Sequence, residues 1–209
     1  MINKKICGVI LTGGLSSRMG GGIKSLLKFN NISIFDRIFE KINNQVDHLI
    51  INSNDTENSF DKYNVDIVQD NIKGFIGPLA GIHASMKWIV NNKKNVKWLC
   101  TIPCDTPFIP EDLVDKLFNN ALNNKHDIVL ARSNTRSHPI VGIWKVDLIN
   151  NLEKHLINGT RKIMDWASIH SLGYEDFNNL YYDPFFNINN KNDISKAEKI
   201  EKNIKSKKI

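Results

Sequence analysis

Cys7, Cys100 and Cys104 are the chain's only three cysteines. An odd, sparse set makes no disulfide framework and points to a reducing compartment, so a cytoplasmic location is expected. Cys100 and Cys104 stand four apart with no second pair to match them, which argues against zinc. They read as small apolar fillers at a strand end. No run is long and apolar enough to cross a membrane. Ile6–Leu11 follows Lys4 and Lys5 like a signal peptide, but it is too short and ends in Gly13-Gly14 without a cleavage pattern. The two common nucleotide loops are missing as well. A P-loop needs glycine directly before its lysine, and Ile23 precedes Lys24. A dinucleotide fingerprint begun at Gly20 needs glycine at 25, where Ser25 stands, so a nicotinamide oxidoreductase is excluded. No serine or cysteine is set out with a histidine partner as a nucleophile.

What remains fits one globular domain over residues 1–209: 41% of residues are hydrophobic and 24% charged. The net charge of +6 favours anionic ligands such as nucleotides and phosphates. Part of that excess sits in the lysine-dense stretch 196–209, which reads as a basic C-terminal helix with a solvated face. Without interleaved aromatics or a nucleic-acid motif, no nucleic acid is expected as a partner.

Apolar runs alternate with helical patterns, the mark of an α/β domain with a mainly parallel sheet. Strands are expected at Ile6–Leu11, His48–Asn52, Asp66–Val68, Lys97–Ile102, Asp127–Ala131 and Ile140–Trp144. Helices are expected at Ser33–Gln45, Pro78–Asn91, Pro110–Asn123, Val146–Ile157 and Arg161–Ile169. Ile34, Ile38, Phe39 and Ile42 share one face of the first helix. In such sheets ligands sit at the carboxyl ends of strands near a topological switch point, and the unusual residues cluster there.

After the first strand comes Leu11-Thr12-Gly13-Gly14-Leu15-Ser16-Ser17-Arg18-Met19-Gly20-Gly21-Gly22-Ile23-Lys24. Its glycines permit a curled run of backbone N–H groups, an anion nest. Arg18 grips phosphate oxygens with a fork, and Lys24 adds a point charge. At the second strand's end, Asn52 either reads a base edge or closes an Asx-turn. Asp70 offers an acceptor to guanine N–H donors or to a ribose hydroxyl. Gly77-Pro78-Leu79-Ala80-Gly81 puts small residues at a helix start, where a ligand or another backbone comes close. Asp105, between Pro103 and Pro107, suits Mg²⁺, which takes oxygen ligands and often only one or two carboxylates plus substrate phosphates.

The set L-T-G-G-x-S-x-R-M-G-G-x-x-K, G-P-L-A-G and P-C-D-T-P resembles the pyrophosphorylase-like nucleotidyltransferases. Within them it is most similar to molybdenum cofactor guanylyltransferases. The resemblance runs from Ile6 to about Ile194. It implies a Rossmann-like, mostly parallel sheet flanked by helices, of the nucleotide-diphospho-sugar transferase type. It implies GTP contacts from Leu11, Thr12, Gly13, Gly14, Lys24, Asn52, Asp70, Gly77, Gly81 and Asp105, with Asp105 holding Mg²⁺. Arg18, Lys24 and Asp105 become the catalytic set. Arg136, Arg161, Asn187 and Asn189 match elements on the acceptor side. Two departures stand out: Ile23 where the family carries aspartate, and Thr12 for a common alanine.

The implied partners are GTP and molybdopterin, with transient contacts to other proteins of that cofactor's synthesis, and a monomer is expected. The implied reaction transfers GMP and releases pyrophosphate. Rival readings are a cytidylyltransferase, a sugar- or polyol-phosphate nucleotidyltransferase, and a nucleotide-binding module without turnover.

Overall fold

The computed structural model describes residues 5–13, 26–55, 58–72, 77–178 and 181–207. Arg18, Lys24 and Gly14 of the expected phosphate loop therefore lie outside the described residues. Strand β1, Ile6–Leu11, is buried along its whole length. Ile6 and Ile10 enter one core and Cys7, Val9 and Leu11 the other, the alternation of a strand covered on both faces. Among the described residues the sheet has seven strands, in the order β5-β4-β1-β6-β8-β7-β9. Its other members are β4 (His48–Asn52), β5 (Asp66–Val68), β6 (Trp98–Pro103), β7 (Ile128–Ser133), β8 (Arg136–Lys145) and β9 (Leu172–Asp176). Of these seven strands, β8 runs antiparallel to its neighbours and the others pair in parallel. The chain leaves β1 to build β4 and β5 on one side, then returns to build β6 on the other. The switch point thus lies between β1 and its neighbours.

One face carries α1 (Ile34–Asn43), α3 (Leu113–Asn123) and α6 (Lys191–Lys207); the other carries α2 (Pro78–Asn92), α4 (Ile149–Ile157) and α5 (Ile163–Ala167). Ser33 caps α1 by accepting from the Asp36 N–H, so this helix starts one residue later than its periodicity suggests. Phe35, not Phe39, is the fully buried aromatic on its inner face. Helix α3 opens at Leu113 rather than Pro110, and its Val114 N–H is satisfied from the turn after α1, by Gln45 Oε1 at 3.0 Å. The basic tail is the end of a helix that begins earlier, at Lys191. It is tied to the body by Glu201, which accepts from Arg37 (2.8 Å) and Asn30.

Two features have no clear periodic signal in the sequence. Strands β2 (Lys28–Phe29) and β3 (Ile32–Ser33) form a small hairpin whose turn, Asn30-Asn31, has left-handed backbone at both residues. Strand β9 is a short edge strand, and a β-carbon on its Gly173 would collide with the His126 ring. No helix among the described residues is long and apolar enough to cross a membrane.

Candidate functional site

Leu11, Asn52, Val68, Pro103 and Ser133 all end strands at the same edge of the sheet. Thr12 continues past β1 and turns onto β4: both its N–H (3.0 Å) and its hydroxyl (2.9 Å) donate to the Asn52 carbonyl. The Leu11 carbonyl accepts from the Cys104 N–H at 3.2 Å, which fastens the turn carrying Asp105 to the end of β1. Gly13 follows Thr12 and is exposed, with nothing among the described residues within 4 Å of a built β-carbon.

Asn52 is only 3% exposed. Its amide donates to the Val68 carbonyl and to Asp70 Oδ1, each at 3.0 Å. The other Asp70 oxygen accepts from Asn54 Nδ2 at 2.9 Å, and the Asp70 N–H returns a bond to Asn54 Oδ1 at 2.9 Å. The Asp70 carboxylate is therefore fixed by two amides at the strand edge. Asn54 was not assigned by the sequence, and no spacing rule links residues sixteen apart across a loop.

Helix α2 brings its first turn against this edge. Gly77, at φ 138°, occupies backbone that side chains avoid, and Pro78 starts the helix with no N–H to satisfy. Gly77 caps without a side-chain bond, so no described side chain caps the positive end of the helix. Gly81 is buried, and a β-carbon there would collide with Asn52 Oδ1 and meet Leu11 at 3.0 Å. Of the two glycines, Gly77 is exposed and Gly81 permits helix-to-strand contact. The Arg161 carbonyl approaches within 3.9 Å of a β-carbon built on Gly77, which puts the α4–α5 junction beside the helix start. The Arg161 guanidinium donates to the Leu156 and Thr160 carbonyls at 3.2 and 3.0 Å.

Asp105 is half-buried in the turn after β6. Its carbonyl accepts from the Ile188 N–H at 3.0 Å. Asn187 and Asn189 are exposed on either side of fully buried Ile188, so the backbone bond brings both beside the Asp105 turn. Arg136 is exposed at the tip of the β7–β8 hairpin, opposite Ser133. No three His, Cys, Asp or Glu side chains group as a metal cage among the described residues. A lone hard carboxylate at a strand end is nevertheless a donor that fits Mg²⁺, whose shell is completed by substrate phosphates and water. A separate groove of about 600 Å³ runs between α1, Pro107, Phe108 and α6; none of the strand-end residues lines it.

A mostly parallel sheet with carboxylates and a helix start gathered at its switch point is the layout of a nucleotide-handling α/β protein. The sequence matches the MobA-like NTP transferase domain over residues 8–172. It is 36% identical to the molybdenum cofactor guanylyltransferase of Nitrobacter hamburgensis, across 92% of this chain and 93% of that one. The enzyme of the same name from Mesorhizobium japonicum is 33% identical, across 95% and 97%. The chain belongs to the MobA-like NTP transferase family, and it is a nucleotidyltransferase. Its fold is shared with molybdopterin-guanine dinucleotide biosynthesis protein A from Archaeoglobus fulgidus (TM-score 0.76, 20% identity, 94% of this chain and 99% of that one). It is shared too with the 4-diphosphocytidyl-2C-methyl-D-erythritol synthase of Anaerococcus prevotii (TM-score 0.70, 13% identity, 94% and 96%). The fold by itself therefore does not choose the nucleotide.

Proposed function

We propose that the protein transfers GMP from GTP to molybdopterin, releasing pyrophosphate and forming molybdopterin guanine dinucleotide. The observation that carries this reading is the meeting of Asp105, the Asn52–Asp70–Asn54 group and the Leu11–Thr12 strand end at one switch point. Similarity at 36% identity to a guanylyltransferase of that cofactor supplies the substrate pair.

The reaction is in-line displacement at the α-phosphorus of GTP. A terminal phosphate oxygen of the acceptor forms the new P–O bond, the bond to the β-phosphate breaks, and pyrophosphate leaves. That oxygen is already anionic at neutral pH, so no general base is needed, and catalysis is positioning and charge neutralisation. Asp105 is the residue that would hold Mg²⁺, which when bound would supply charge neutralisation at the phosphates. Arg18 and Lys24 screen the charge on departing pyrophosphate. Leu11, Thr12, Gly13 and Gly14 contact the nucleotide in this reading, and Gly77 and Gly81 keep the α2 start close to it.

Asp70 presents an acceptor to guanine N–H donors or a ribose hydroxyl. Asn52, with its amide hydrogens committed, serves the nucleotide by holding Asp70 still. Arg136, Arg161, Asn187 and Asn189 take the acceptor. Residues 1–209 act as one cytoplasmic monomer in this reading, where the three cysteines stay reduced. The rival reading, a cytidylyltransferase on the same fold, is tested by thermal shift with Mg²⁺. A ligand at a hundred times its Kd stabilises by about 2.7 kcal/mol, so GTP raises Tm and CTP at equal concentration does not. A larger shift with CTP contradicts the guanylyl assignment.

A further inference from the structure

Three side chains that the reaction above does not use form a chain at the same sheet edge. His138 Nε2 lies 2.8 Å from Ser133 Oγ, and Ser133 Oγ lies 2.8 Å from Asp183 Oδ1. Asp183 Oδ1 also accepts from the Phe185 N–H at 3.0 Å, and the His138 ring lies against the Phe185 ring, 4.7 Å between centroids. We propose that His138 is a positioning residue which, through Ser133 and Asp183, holds the 183–189 strap that presents Asn187 and Asn189 to the acceptor. The proposal rests on the acceptor reading given above.

Proton counting fixes the direction of the chain. The Ser133 hydroxyl has one hydrogen, and a carboxylate oxygen 2.8 Å away can only accept it. Ser133 Oγ must then accept from His138, so the ring carries its hydrogen on Nε2. Burial, the main influence, pushes His138 below the ordinary histidine range, consistent with a neutral ring at pH 7. The same count separates the group from a hydrolytic triad. Its serine donates its hydrogen bond to the aspartate rather than to the imidazole and is 1% exposed, so it is no nucleophile.

The strap is pinned at both ends. Asp183 is held by Ser133; Ile188 N–H donates to the Asp105 carbonyl; Asn189 and Asn190 N–H donate to Asp193 Oδ2 at 2.9 and 3.1 Å. Phe185 and Ile188 point inward between these anchors, and Asn187 and Asn189 point out. The antiparallel pairing of β8 with β6, Thr101 opposite Gly142, carries the earlier residues of β8 towards the Asp105 end. The 2.6 Å bond from the Thr101 hydroxyl to the Ile140 carbonyl marks the approach. Removing the imidazole leaves the buried Ser133 oxygen without its donor and takes the ring partner from Phe185.

The test compares wild type, His138→Ala, His138→Gln and Ser133→Ala by hydrogen exchange of the 183–189 backbone and by kinetics with GTP and molybdopterin. His138→Ala and Ser133→Ala speed strap exchange and raise the acceptor KM about tenfold, the scale of one lost buried hydrogen bond. The GTP KM stays at the wild-type value. His138→Gln restores both readouts, because its amide N–H reaches Ser133. Unchanged strap exchange and acceptor KM in His138→Ala overturn the proposal, as does failure of the glutamine variant to rescue a folded protein. Failure of the wild type to use molybdopterin is a separate result: it sinks the functional reading and takes the acceptor half of this inference with it.

Discussion

The side-chain oxygen of Asn52 occupies the space that a β-carbon on Gly81 would need. Asn52 cannot step aside cheaply, because it is buried and its amide hydrogens are spoken for by Val68 and Asp70. In an unobstructed helix, Gly81→Ala would gain about 1 kcal/mol of helix propensity. Overpacking costs about 1–3 kcal/mol, and here it wins. Gly81→Ala is expected to lower stability in urea unfolding and to weaken GTP binding by disturbing Asp70. A variant as stable as wild type, with full GTP affinity, shows that α2 has slack the structure does not display.

Asp105 carries the metal in this account, so its charge matters more than its shape. Asp105→Asn keeps the volume and removes the charge. Turnover is expected to fall about a hundredfold or more, the scale of one preorganised electrostatic group, while the unfolding midpoint barely moves. Steady-state rates across a Mg²⁺ titration, with thermal unfolding in parallel, check both halves. Lys24→Ala is expected to cause a loss of similar size, by the phosphate-loop argument from sequence.

Glu201 gives the protein a defined acid weakness. Burial pushes its carboxyl up, but hydrogen bonds from Arg37, Asn30 and Lys205 outweigh that and bring it down to about 2. An unfolded glutamate titrates near about 4.3, so in the window between, the unfolded chain binds more protons. The group's contribution, about 2 kcal/mol, is complete above that upper value and is lost as pH falls towards 2. Glu201→Gln should flatten stability against pH in that window. An identical acid slope in the variant would sink the assignment.

His83 runs the other way. Its ring is fully buried between α2 and α4, neither nitrogen has a hydrogen bond, and Glu153 Oε1 is 3.7 Å away. Burial pushes its pKa down; Glu153 opposes this and Lys87 adds to it. The folded state therefore takes up its proton later than the unfolded chain, whose histidine titrates near about 6.5. Stability from this group is full above that pH and declines below it. His83→Met removes two unsatisfied nitrogens and keeps an apolar filling, so it should stabilise by about 1 kcal/mol and soften the acid slope. His138 and His170 are pushed down by burial as well, so some slope remains. Destabilisation by His83→Met would mean the ring does more than fill space.

The sequence showed most of this fold because its central strands are simple. Ile6–Leu11 is an unbroken apolar run, and β4, β5 and β6 are bounded by turn residues. It missed β9 because Leu-Gly-Tyr-Glu-Asp has the charges and glycine of an edge strand, whose pairing with β7 is set by the fold. The start of α3 is later than local sequence suggests, and its Val114 N–H is satisfied by Gln45, a residue of the turn after α1 that lies far away in the chain. At the site, Asp105 and the helix-start glycines were legible as types at a strand end. The bonds that fix Asp70, and the Ser133–Asp183 contact fifty residues apart, are products of tertiary closure that no spacing encodes.

The most direct test supplies purified protein with GTP, Mg²⁺ and molybdopterin and follows pyrophosphate and the dinucleotide together. The prediction is one pyrophosphate released per molybdopterin guanine dinucleotide formed, with neither appearing when Mg²⁺ is chelated and both slowed about a hundredfold or more when Asp105 is replaced by asparagine. Absence of the dinucleotide with wild-type protein, or its formation at full rate without a divalent cation, would contradict it.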